Sequence, residues 1–231
     1  PHLHTSMLAL LTAPSGRVLA PGAAAAIQEG TLHFEAGFMP QRLVADLRQD
    51  AEACAEAGLF ESAGSGDRAG AADHMRSAQY CDPIARDRGI GCFDAVYALW
   101  ERLDMARQEL SEELGLELAA EMEVHYVRYP AGGFYRRHRD TPPAPSPTGE
   151  HREVSLLLYL DPVWRPDWGG ALRIFAEPAP VDVQPEAGTL VLMHSPLLEH
   201  EVLETSRPRH CVVGWLCSVM SPITFENAQT L

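Results

Sequence analysis

Four side chains stand out by type and spacing: His138, Asp140, His200 and Arg209. The stretch Tyr135-Arg136-Arg137-His138-Arg139-Asp140 contains a His-x-Asp pair, one imidazole and one carboxylate, and His200 can add a second imidazole from far along the chain. Two imidazoles and a carboxylate form the facial set that suits ferrous iron, and such a set leaves coordination positions open for a chelating cosubstrate and for dioxygen. Arg209, just beyond the distal histidine, points to a chelator with a second carboxylate, because a planar guanidinium takes a carboxylate bidentately. 2-Oxoglutarate is such a chelator.

These residues need strands to bring them together. In a strand, residues i and i+2 face one side, so His138 and Asp140 share a space while Arg139 points away. The spacing predicts that His200 opens a strand over 201–205, that Ser206-Arg207-Pro208 turns the chain, and that a hairpin partner follows over 210–218. Arg209 shares parity with Cys211, Val213 and Trp215 and is expected to face inward, with Arg207 in the turn facing solvent. Further β runs fall at 122–129, 134–138, 153–160, 171–175, 180–184 and 189–193, separated by Pro- and Gly-rich turns. Upstream, apolar spacing predicts an amphipathic helix over 40–57, with Pro40 at its start and Gly58 at its stop. A longer helix is expected over 93–115, with Val96, Leu99, Trp100, Leu103, Met105, Leu110 and Leu114 as its core stripe. Gly64 to Ala72 and the Pro-rich 141–149 read as loops. Helices first and about eight strands after them predict an α+β fold. Its core is a double-stranded β-helix, a jelly-roll barrel, buttressed by N-terminal helices.

The chain has ten histidines, so decoys must be weighed. His2, His4 and His33 fall in a front segment expected to be poorly ordered, and His74 and His151 fall in loops. His210 has the wrong parity; His125 and His194 can approach the site but are read as lacking a carboxylate two residues away, and are expected to be core imidazoles or to support the ligands from behind. The 231 residues suffice for one substantial domain, and the formal charge of -14 argues against nucleic acid as a bulk partner. Arg136, Arg137, Arg139 and Arg152 form a local basic cluster beside the His-x-Asp pair. Five cysteines without a CxxC pair argue for a reducing, cytoplasmic setting rather than a disulfide scaffold. No run approaches the length of a membrane span, and 7–26, broken by Pro14, Gly16, Pro21 and Gly22, is not read as a signal peptide.

On these stretches the chain resembles the prolyl 4-hydroxylase branch of the iron(II)/2-oxoglutarate-dependent oxygenases, and is similar to the oxygen-sensing prolyl hydroxylases and their bacterial relatives. The resemblance is carried by Phe38-Met39-Pro40, Ala57-Gly58-Leu59-Phe60, the run from Tyr129 through Asp140, the runs Arg152 to Asp161 and Trp168 to Phe175, and His200-Glu201-Val202 with Arg209 and Trp215 behind it. It implies that His138, Asp140 and His200 bind iron. It implies that Arg209 and Tyr159 hold the far carboxylate of 2-oxoglutarate, that Tyr129 and Tyr135 flank cosubstrate and substrate entrance, and that Arg152 sits at the rim. The implied cofactors are Fe(II), 2-oxoglutarate and dioxygen, with ascorbate as reductant. The implied reaction is hydroxylation of an aliphatic C–H, a prolyl residue being the candidate target, with release of succinate and CO2. A free amino acid or other small molecule as substrate, and a non-catalytic metal-binding barrel, are the alternatives. The expected oxygenase domain spans 37–220, after an extension over 1–36 and before a tail over 221–231. The segments 73–92 and 141–151 depart from the family pattern, and those are the segments that would choose a substrate.

Overall fold

A computed structural model describes residues 16–62, 75–140 and 150–219. His2, His4, His74 and the loops expected at 64–72 and 141–149 lie outside the described residues.

Two antiparallel sheets carry the fold. The larger has the order β1 (Leu32–Glu35), β10 (Leu190–His194), β7 (Glu150–Tyr159), β12 (Arg209–Val219), β5 (Glu123–Tyr129), β4 (Gln79–Cys81) and β2 (Glu61–Ser62). The smaller has the order β3 (Arg76–Ser77), β6 (Phe134–His138), β11 (His200–Val202), β8 (Leu172–Ile174) and β9 (Val181–Val183). From β5 onward the chain passes repeatedly between the two sheets, which is the double-stranded β-helix, or jelly roll. The predicted strand runs all appear within a few residues of their expected positions. Helices α2 (Gln41–Glu56) and α3 (Phe93–Leu114) match the predicted pair, whereas helix α1 (Ala23–Gln28) and strands β1 to β4 are additions. Strands of two to four residues carry too few positions for a period to show in sequence.

One expected connection is different. Residues 200–205 and 209–218 do not form a hairpin: β11 pairs with β6 and β8 in the small sheet, and β12 pairs with β5 and β7 in the large one. The turn at Ser206-Arg207-Pro208 therefore hands the chain from one sheet to the other. It is tied by the Thr205 hydroxyl, which donates to the Arg207 carbonyl at 2.6 Å, and Gly169 bridges Thr205. His200 and Arg209 still face one interior, but from opposite walls. His33, expected in a poorly ordered front, lies on β1 opposite Leu192, and His151 lies on β7 rather than in a loop.

The large sheet is buried on both faces, which explains why Val154 to Leu160 reads as an almost unbroken apolar run. Val154, Leu156 and Leu158 turn toward α2 and α3, where Val44, Leu47, Ala51, Leu99, Leu103 and Leu110 meet them at helical spacing. Leu157 and Tyr159 turn the other way and pack between the sheets with Val127, Tyr129, Leu172, Ile174 and Val202. Trp100, Met105 and Leu114 of the predicted stripe are only partly buried, since Ala106 takes the core position between Leu103 and Leu110. Helix α3 stops at Gly115, whose φ of 64° a side chain rarely adopts.

Asp161, just after β7, fastens α2 to the sheet. Its carboxylate accepts from Arg48 Nε at 2.9 Å and from the His210 backbone N–H at 2.6 Å, and it lies 3.1 Å from His210 Nδ1. Burial by itself would push this carboxyl up, but the His210 ring, the His210 amide and Arg48 outweigh it and hold its pKa below the usual value. A depressed folded-state pKa gives stability that is present above the unfolded carboxylate pKa and is lost as pH falls through the folded one. Asp161→Asn should therefore lower stability at neutral pH and flatten its decline below about pH 4. Urea unfolding between pH 7 and pH 2 measures both effects. An acid limb as steep as that of the parent protein would show that Asp161 does not contribute to it.

Candidate metal centre

The register of the small sheet builds the centre. His138 at the end of β6 is the direct cross-strand partner of His200 on β11, and their ring centroids lie 4.3 Å apart. Asp140 follows β6 and reaches both, its Oδ1 lying 3.4 Å from His138 Nε2 and its Oδ2 3.6 Å from His200 Nε2. One ligand atom from each residue falls within 4.8 Å of the other two. His138 Nδ1 is 2.8 Å from the Arg136 carbonyl and His200 Nδ1 is 3.4 Å from the Leu198 carbonyl. Carbonyls only accept, so each Nδ1 carries the proton and each Nε2 lone pair faces the carboxylate. Three electron-pair donors aimed at one point suit a cation, and the residues present fit a divalent metal.

The electrostatics agree. Burial pushes the His200 imidazole down, with Asp140 opposing, so the neutral form that ligates a metal is favoured. For Asp140 burial works toward a higher pKa. The His138 ring, the neighbouring His200 imidazole and the Ser155 hydroxyl outweigh it and hold the carboxyl well below the usual carboxylate range. Ser155 Oγ donates to Asp140 Oδ2 at 2.7 Å and lies 2.7 Å from Ser195 Oγ, a buried hydroxyl chain behind the ligand set. Tyr135 stacks on His138 at 3.6 Å between centroids.

Behind this trio lies an uncompensated charge. Arg209 is fully buried, with its guanidinium carbon 5.0 Å from the ring centroids of both Tyr129 and Tyr159. Its Nη1 lies 3.4 Å from Cys211 Sγ, while its Nε and Nη2 and the Tyr159 hydroxyl make no hydrogen bond. Burial, opposed by the Arg209 charge, pushes the Tyr159 phenol up to about 12, so it remains a donor. A guanidinium and a phenol, buried with donors to spare, fit a carboxylate. Gly170, at φ +72°, keeps this corner open: a Cβ there would sit 3.2 Å from Arg209 Cδ.

The remaining expected residues line the mouth. A cleft of about 740 Å³ opens onto Asp140 and is lined by Tyr135, Arg152, Trp215, Arg76 and Tyr80, among others. Arg152 lies 3.7 Å over the Trp215 ring and donates to both oxygens of Glu123. His125 also lines the cleft and has a carboxylate neighbour after all, Glu123 Oε1 at 3.4 Å from its Nε2. The Ser155–Ser195 chain was legible in part, because Ser155 shares parity with Tyr159. Ser195, Arg76 and Tyr80 carry no sequence signal of their own. Arg137 and Arg139, from the basic cluster, are drawn outward by Glu199.

Comparison with known proteins gives matches of one class. Residues 124–217 match the family model described as the 2OG-Fe(II) oxygenase superfamily. The chain is similar to a prolyl-4-hydroxylase from Pseudomonas putida, at 29% identity and a TM-score of 0.71 over 87% of this chain and 98% of that one. It also shares its fold with a prolyl hydroxylase from Trichoplax adhaerens, solved with a peptide fragment of the hypoxia inducible factor oxygen degradation domain. That match has 21% identity and a TM-score of 0.74 over 90% of this chain and 91% of that one. These matches support reading the chain as similar to the 2-oxoglutarate/Fe(II) oxygenases of the prolyl 4-hydroxylase type. Among the described residues no helix is long and apolar enough to cross a membrane.

The buried guanidinium makes a stability prediction of its own. A charge without a buried counter-ion destabilises the ligand-free fold. Arg209→Met, similar in length and apolar, should raise the unfolding free energy of the ligand-free protein by about 1–4 kcal/mol. A lower denaturation midpoint for that variant would mean that Arg209 is already compensated.

Proposed function

We propose that His138, Asp140 and His200 hold the iron, that Arg209 and Tyr159 receive the far carboxylate of 2-oxoglutarate, and that Tyr129 forms the wall beside it. The reaction is hydroxylation of an aliphatic C–H on a prolyl residue of a polypeptide, in the oxygenase domain over 37–220 and in the cytoplasm, with ascorbate able to serve as reductant. The observation that carries this reading is the convergence of three ligand atoms within 4.8 Å, with an unsatisfied guanidinium and phenol on the facing wall. Iron with 2-oxoglutarate and dioxygen supplies oxidative decarboxylation to succinate and CO2, coupled to oxidation of the substrate C–H. The chain's own part is placement. Ser155 fixes the Asp140 carboxylate, and the Arg136 and Leu198 carbonyls fix the imidazole tautomers. Arg209 and Tyr159 set the cosubstrate's direction, while Leu157, Val202 and Ile174 keep water from the interior. Tyr135 and Arg152 border the cleft through which substrate arrives.

A prolyl target is supported by the likeness to the Pseudomonas putida enzyme. A free amino acid remains the second reading, favoured by the departure of 73–92 and 141–151 from the family pattern. Succinate release from 2-oxoglutarate with ferrous iron, with and without proline-containing peptides, tests the proposal. Asp140→Ala and His200→Ala should each lower substrate-coupled turnover by about a thousandfold, the scale expected when a group acting as part of a unit is lost. Arg209→Met should raise the 2-oxoglutarate KM far more than it lowers kcat. Ser155→Ala should weaken divalent metal binding about 10- to 100-fold in a metal titration, since it frees the carboxylate that it now orients. Full turnover in Asp140→Ala would defeat the metal assignment.

A further inference from the structure

Among the described residues, Arg76 is the arginine of the cleft that no carboxylate engages. Of the arginines at the mouth, Arg152 is bound to Glu123, and Arg139 is drawn 3.9 Å from Glu199 on the outer surface. Arg76, on edge strand β3, has its guanidinium carbon 5.3 Å from the ring centroids of both Tyr80 and Tyr135. Its one hydrogen bond is donated by Nη1 to the Tyr135 hydroxyl at 3.3 Å. Among the described residues no carboxylate lies within ion-pair distance of it. Of the other acids lining the cleft, Glu123 is engaged by Arg152 and Asp82 Oδ1 by the amides of Ile84 and Ala85, while Glu61 makes no ion pair with Arg76. A guanidinium has five donors, so most of those on Arg76 remain unspent. The two aromatic faces hold the plane in place and leave its edge for a ligand.

The position matters as much as the charge. Tyr135 lies between Arg76 and the metal centre, touching Arg76 through its hydroxyl and stacking on His138 at 3.6 Å. An anion held by Arg76 therefore sits about one aromatic ring from a metal-binding imidazole. We infer that Arg76 is a specificity-determining residue that recognises a carboxylate on the substrate, close to the carbon that is oxidised. This rests on the proposed function and narrows its substrate class to carboxylate-bearing molecules. The carboxylate can come from an acidic side chain neighbouring the target residue in a polypeptide or from the α-carboxylate of a free amino acid.

Paired substrates test it. One pair is a proline-containing peptide with Asp or Glu beside the proline and the same peptide with Asn or Gln there. The other pair is free proline and prolinamide. For one of the two pairs, the parent enzyme should favour the carboxylate member by about tenfold or more in kcat/KM, mostly through KM, and the pair that responds identifies the source. Arg76→Gln should erase the preference, and Arg76→Lys should keep part of it. Calorimetry of the same ligands with the metal-free protein should show the same ratio. A parent enzyme that turns over substrates without preference overturns this inference and leaves the oxygenase reading intact. A uniform loss in Arg76→Gln with the preference preserved also overturns it, by showing a structural role. If no substrate supports turnover, the proposed function fails and takes this inference with it.

Discussion

Everything in the centre depends on one antiparallel register, that of β6 against β11. With His200 opposite His138, two imidazoles and the following Asp140 share a point. A slip by one residue would send every side chain of a strand to the other face and dissolve the set. Several contacts forbid that slip. β8 holds β11 from its other side, pairing Ile174, Arg173 and Leu172 with His200, Glu201 and Val202. An irregularity between His200 and Val202 sets Tyr135 opposite Val202, and from there its ring lies flat on His138. The small sheet is short in all its strands, so its register is secured by bulge and stacking more than by length.

The large sheet serves two masters. Its helix-facing side chains supply apolar burial, while its inner face carries Ser155, Tyr159, Tyr129 and Arg209. Placing a guanidinium in that interior works against folding, and the polar atoms around it are left without partners. The apolar packing against α2 and α3 offsets the cost, so stability is gained on one face of the strands and used on the other. Period-two alternation along β5, β7 and β12 is what lets a single strand do both.

Much of this was legible in the sequence, for identifiable reasons. Long periodic segments, α2, α3, β5, β7 and β12, carry enough positions for a pattern to declare itself; parity turned Arg209 inward, and the family resemblance pointed to Tyr159. The supposed hairpin at 200–218 shows where the pattern stops. A turn after a strand looks the same whether the next strand pairs with its neighbour or crosses to the opposite sheet, since the choice is made by distant partners. Strands β1 to β4, at or next to the sheet edges, are too short to be seen, and with them went Arg76 and Tyr80, whose places exist only because β3 and β4 are laid against β6 and β5. The pairing of His125 with Glu123 was within reach of sequence, being an i, i+2 relation on one strand.

That division has a physical logic. Iron chemistry makes strict geometric demands, and the proposed ligands lie on the paired strands β6 and β11 and their immediate continuation, where backbone hydrogen bonds fix direction. Substrate choice demands little more than a surface of the right charge and shape at the same mouth. The proposed substrate contact falls on the short edge strand β3, which can change side chains without disturbing the register inside. β3 is the point where the two demands touch: it pairs with β6 through Arg76 and Tyr135, so the cation proposed to face the substrate is hydrogen-bonded to the strand that carries His138. A substrate held at this edge as proposed would lie one ring away from the proposed metal ligands.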